Sequence, residues 1–179
     1  AVRRAMPNLK DELSLRLAPM QRRWEQEGSP LLRRTARWTD PGLIVPRALV
    51  ILVWPSLGGG GTAHPPSNCV LIESVSADPV QEIPETLRLA WLLSQLNLDL
   101  PRFSETIHGK RLPHVAELAM LPVILKVGEE TGILQLTPET IKLALNTWQL
   151  VTPLDVDPVE ILWRWWNTYL ETRPPWEVA

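Results

Sequence analysis

Ala48-Leu-Val-Ile-Leu-Val-Trp54 is the stretch on which the fold turns. It is apolar at every position and rich in β-branched side chains, which predicts a strand. Apolar residues on both alternating faces predict burial on both sides. Cys69-Val-Leu-Ile72 predicts a second short strand of the same kind. The connection between them, Pro55-Ser-Leu-Gly-Gly-Gly-Gly-Thr-Ala-His-Pro-Pro-Ser-Asn68, is longer than most hairpin loops, so it is either mobile or used.

Beyond the strands the chain reads as helical. Pro84 suits the first turn of a helix running to about Leu98, with Glu85 well placed against the helix dipole. Leu87, Leu89, Trp91, Leu92, Leu93, Leu96 and Leu98 leave only a thin polar stripe of Arg88, Gln95 and Asp99, which predicts a central helix. Pro113 opens another, interrupted by Pro122. Ile133-Leu134-Gln135-Leu136 is a candidate third strand. Thr137-Pro138 starts a helix to about Gln149, and Asp157-Pro158 starts the last, to about Thr172, stopped by Pro174-Pro175.

Upstream, Leu9, Leu13, Leu17, Met20 and Trp24 recur near helical spacing behind Asn8. Pro19 is expected to kink or split this helix, Gly28-Ser29-Pro30 to end it, and residues 29–47 to form an irregular connection. Residues 1–47 carry a net charge of +5 and residues 48–179 one of −7. The organisation expected is a basic N-terminal segment, 1–47, docked by charge on an α+β core, 48–179. The fold class is α+β, with a two- or three-stranded sheet packed by about five helices and a mostly helical C-terminal half.

Composition narrows the function. Nine tryptophans accompany one tyrosine and one phenylalanine, and arginine outnumbers lysine 14 to 4. A GC-rich genome accounts for such a bias, but not for the crowding of Trp163, Trp165, Trp166 and Trp176 at one end. One cysteine, Cys69, excludes an internal disulfide framework and fits a reducing compartment. With no secretory signal pattern and no apolar run of membrane-spanning length, a cytoplasmic location is expected.

The motifs that could carry chemistry are short. Gly58-Gly-Gly-Gly-Thr-Ala63 matches the dinucleotide-binding pattern, with Asp78 following. That motif needs its turn to open a helix, and His64-Pro65-Pro66 stands there instead, so a flexible connection is expected. His64, Cys69, His108, His114 and Glu117 could contribute metal ligands; His114 and Glu117, three apart on one helix, share a face. The simpler reading has His114 near a helix start and Glu117 turned back as a cap. The order strand, loop, strand, buried helix resembles the zincin-like metallopeptidases in topology alone, because Pro84-Glu-Thr-Leu-Arg-Leu-Ala-Trp-Leu-Leu-Ser94 contains no histidine. Cys69 reads as a small core residue rather than a nucleophile.

Arg33-Arg34-Thr-Ala-Arg37-Trp38 sets basic residues beside an aromatic, a pattern of single-strand nucleic-acid binders, but the overall pI near 6.0 argues against nucleic acid as a partner. The last helix is the strongest feature: Val159, Leu162, Trp163, Trp166, Tyr169 and Leu170 form one apolar stripe, widened by Trp165. Large apolar residues at this spacing ordinarily pack a core. They are also the types enriched at binding hot spots. The favoured expectation is a non-enzymatic, cytoplasmic protein-interaction or self-association module anchored by Trp163, Trp165, Trp166 and Tyr169, without cofactor. The alternative is a metal-dependent hydrolase whose zinc is held by His108, His114 and Glu117 with help from His64.

Overall fold

The computed structural model describes residues 8–55, 58–74, 82–98, 105, 107, 109–150 and 157–178. Among them are five α-helices, α1 (Leu9–Trp38), α2 (Glu85–Leu93), α3 (Leu112–Glu130), α4 (Pro138–Thr147) and α5 (Pro158–Thr172). Three strands, β1 (Leu49–Val53), β2 (Gly61–His64) and β3 (Cys69–Glu73), form one mixed sheet in the order β1-β3-β2. β1 runs parallel to β3, with Leu49 opposite Cys69, and β2 runs antiparallel to it, with His64 opposite Cys69. The fold is α+β with a helical C-terminal half. No helix among the described residues is long and apolar enough to cross a membrane.

α2 is the hub, as its apolar surface predicts: every residue of it is buried, and it packs against α1, α3, β2 and β3. The start signals of α4 and α5 hold. Thr137 forms a reciprocal capping box with Thr140, and the Asp157 side chain accepts from the Val159 N–H.

Five expectations are corrected. α1 does not stop at Gly28-Ser29-Pro30 but continues through Pro19 and Pro30 to Trp38, so most of the expected connection is helix. Each proline frees one carbonyl four residues back, at Leu15 and Gln26. Both of those residues are exposed, so water can serve the freed group. Gly28 suits its place in the helix because the Trp24 ring lies against it; a Cβ there would come within 2.5 Å of the indole. Likewise α3 runs uninterrupted through Pro122, which is buried with Met120, Leu121, Val123 and Ile124. Packing on both sides outweighs one lost backbone hydrogen bond.

β1 is not buried on both faces. It is an edge strand, with Leu49 61% and Ile51 37% exposed, while the central strand β3 is the well-covered one. The third strand is β2, inside the glycine connection, and not Ile133–Leu136, which is not part of the sheet.

Finally, the glycine connection is pinned rather than loose. The Glu73 carboxylate, through one oxygen, accepts the N–H groups of Gly58, Gly59 and Gly60 at 2.9, 3.0 and 3.1 Å. Three successive amides wrapped on one oxygen form an anion nest. The chain's own carboxylate fills the cradle that a phosphate would need. Gly58 and Gly59 take φ of +86° and +146°, and a Cβ on Gly59 would meet the Thr147 carbonyl oxygen at 2.3 Å.

Candidate functional site

α5 presents the aromatic side chains that the sequence singles out, and the fold sorts them by depth. Trp166 is 1% and Tyr169 7% exposed, so these two belong to the core. Trp163 and Trp165 are half-buried at the surface and pack on that core from outside. Around Trp166 a cluster assembles: its ring centroid lies 5.6 Å from Trp38, 5.5 Å from Tyr169 and 6.2 Å from Trp165. Trp176, from the turn after α5, completes it at 5.6 Å from Tyr169 and 6.1 Å from Trp165, edge-on to both. Offset and edge-to-face contacts of this kind favour a fixed geometry.

Trp38, at the end of α1, joins the cluster from far away in sequence. The Tyr169 hydroxyl donates to the Trp38 carbonyl at 2.6 Å, across 131 positions. Burial pushes the Tyr169 phenol above its ordinary pKa, so it remains a donor at neutral pH. The Trp38 indole N–H donates in turn to Glu130 at 2.9 Å, whose other carboxylate oxygen lies 3.9 Å from Arg34. The Arg173 guanidinium stacks 4.2 Å over the Trp38 ring. Arg37, Trp38, Glu130 and Arg173 line a cleft of about 200 Å³ beside the cluster. The site is thus an aromatic platform, half exposed, with a cationic rim. It offers apolar area and charge for recognition.

Sequence reasoning missed much of this rim. Arg37-Trp38 was legible only as a basic-aromatic pair on a supposed loop, and Arg173 not at all. The available signal was the end of α5, where Arg173 stands in the left-handed position, φ +47°, that glycine ordinarily takes.

A second constellation is buried and charged. Arg88, read from sequence as part of a polar stripe, is 0% exposed, and Gln95 beside it is 3% exposed. The third member of that stripe, Asp99, lies outside the described residues. Arg88 donates to the carbonyls of Gly60 at 2.8 Å and Glu73 at 2.6 Å, and pairs with the Glu85 carboxylate. Burial draws its pKa below the ordinary value, and the carboxylates of Glu85 and Glu73 oppose that. Every contact is internal, tying α2 to the glycine turn and to the end of β3. Its role is to hold the sheet to the hub helix.

The metal-capable residues are dispersed or outside view. His108 and Asp78 lie outside the described residues. His64 sits exposed on β2 opposite Cys69, which is buried and free. His114 and Glu117 do share a face of α3, with Nδ1 to Oε2 at 3.8 Å. Glu117 pairs with the imidazole instead of returning to the backbone as a cap. Burial raises the Glu117 pKa, while His114 acts to lower it. Among the described residues, no group of three or more His, Cys, Asp or Glu is placed to hold a metal ion.

Comparison of the chain with protein-family models, with curated proteins and with solved structures finds no match in any of the three.

Proposed function

We propose that this protein is a cytoplasmic, non-enzymatic module that associates with protein, either a second copy of itself or another chain. The carrying observation is the aromatic platform, whose inner members Trp166 and Tyr169 are buried and whose outer members Trp163, Trp165 and Trp176 remain half-exposed. Tryptophan, tyrosine and arginine are the residues that dominate interface energetics, and all three types meet here. A rigid platform also loses little entropy on binding, because its rings are already held in place by one another. The single unpaired Cys69 supports the reducing compartment.

Light scattering over a wide concentration range, with iodide quenching of tryptophan fluorescence, tests this directly. Trp165→Ala is expected to shift the protein from a concentration-dependent oligomer, or from a captured partner complex, to the free monomer. It should also reduce the iodide-accessible fluorescence and lower stability by about 1–2 kcal/mol, as fits a half-buried ring. A wild-type protein that binds nothing at any concentration, with tryptophan fluorescence immune to iodide, would end the proposal.

The rival reading, a zinc-dependent hydrolase, draws its support from the His114–Glu117 pair. Elemental analysis of untagged protein decides it. A real site retains near-stoichiometric metal through purification, and less than about a tenth of an equivalent of zinc would discard that reading.

A further inference from the structure

Resting on the interaction reading above, we infer that the cleft between α1 and the end of α5 is a seat for carboxylates of an acidic segment on the partner protein, held by Arg37 and Arg173. Four observations support it. The cleft is lined by Arg37, Trp38, Glu130 and Arg173, with a volume of about 200 Å³, and arginine guanidinium is the group best shaped to bind a carboxylate through two parallel N–H donors.

The existing charges do not neutralise one another. Glu130 is already engaged, by the Trp38 indole N–H and by Arg34. That leaves two cations: Arg37, which has no ion pair or hydrogen bond among the described residues, and Arg173, whose Nε donates to the Leu170 carbonyl at 3.3 Å. No hydrogen bond from the terminal nitrogens of Arg173 is found among the described residues.

Arg173 is also held in an unusual way. Its backbone closes α5 in the left-handed region, φ +47° and ψ +48°, with its N–H on the Tyr169 carbonyl at 2.9 Å. A side chain with a Cβ is disfavoured there and glycine is the ordinary occupant. The consequence of placing arginine at this position is a guanidinium laid over Trp38, aimed into the cleft. A strained conformation that delivers a charged group to a cleft points to use of that group.

The fourth observation selects the ligand. The cleft opens onto the aromatic cluster, since Trp38 is shared by both. An acidic segment with neighbouring apolar side chains can use rings and cations together; free phosphate can use only the cations. The protein's own charge is −2 overall, so attraction of an acidic chain must come from a local site.

The test uses the whole chain and a fluorescein-labelled peptide of alternating glutamate and leucine, followed by anisotropy, with inorganic phosphate as competitor. Arg173→Gly supplies the residue that the left-handed cap prefers, so the fold is retained while the guanidinium is lost. Arg37→Gln removes the second cation, and Arg33→Gln, which lines a separate groove with Trp24 and Leu32, is the control. Wild type and R33Q are expected to bind the peptide alike. R173G and R37Q should each bind about tenfold more weakly, with an unchanged melting temperature. Phosphate at equal concentration should leave the peptide bound.

No binding by the wild type, or equal binding by R173G, R37Q and R33Q, would overturn the assignment. Displacement of the peptide by equimolar phosphate would overturn it too, as the mark of a site for small anions. If the peptide fails while Trp165→Ala still abolishes association, the acidic seat falls and the interaction module stands. If neither variant changes association, both fall.

Discussion

Replacing Arg88 by methionine is expected to lower the unfolding free energy by about 3–5 kcal/mol, read as a shift in the urea midpoint. Methionine keeps much of the volume, so the loss reports charge and hydrogen bonds rather than a void. Arg88 is 0% exposed and donates to three acceptors in three segments: the carbonyls of Gly60 in the glycine turn and Glu73 in β3, and the carboxylate of Glu85 in α2. Removing the cation leaves the Glu85 charge, itself nearly buried, without its α2 counterion, and takes the guanidinium donors away from the Glu73 carbonyl and from the Gly60 carbonyl, which keeps only the Glu73 N–H. Lysine is not expected to rescue, because one ammonium cannot span acceptors that a planar fork reaches together. The damage should be centred on the glycine turn, so faster amide exchange at Gly58 to Gly60 should accompany the loss of stability. A destabilisation below about 1 kcal/mol would show that the network contributes little and that packing alone holds the sheet to α2.

Trp166→Ala is expected to cost about 3–5 kcal/mol as well, by a different route. Its indole is 1% exposed and in ring contact with Trp38, Trp165 and Tyr169, so truncation opens a cavity between three aromatic side chains. Surrounding rings are stiff and cannot collapse into the space. The neighbouring Trp165→Ala change should cost less than half as much. Two adjacent tryptophans on one helix would thereby separate into one that folds the protein and one that faces a partner. Equal thermal shifts for the two variants would contradict that division. A melting temperature unchanged in W166A would contradict the core assignment itself.

How much of this was readable in advance differs from element to element. The boundaries of α4 and α5 were legible because their signals are local: Thr137-Pro138 and Asp157-Pro158 satisfy orphan amides within one turn, and Pro174-Pro175 cannot continue a helix. The buried character of α2 was legible for the same reason, since a helix apolar on nearly all sides has no stable exposed face. The length of α1 was not. Gly28-Ser29-Pro30 is a stop signal by propensity, but Leu31 and Thr35 beyond it are buried against the rest of the chain, and that packing carries the helix onward. β1 shows the reverse failure. Its uniform apolarity announces a strand without saying whether a layer covers its second face.

The candidate site divides along the same line. Clustering of tryptophan in α5 is a property of the sequence, and so is the helical stripe that gathers Trp163, Trp166 and Tyr169 on one side. Which ring sits inside and which at the surface is decided by how α5 lies against the end of α1, a contact between residues more than a hundred positions apart. The same packing brings Arg37 and Arg173 to one cleft, and the crossing of β3 past the glycine turn puts Glu73 where a bound anion would otherwise sit. Local hydrogen-bonding and steric rules act over a few residues and can be read from the chain in order. Depth, charge pairing and cleft formation depend on distant segments meeting, and no short-range pattern encodes them.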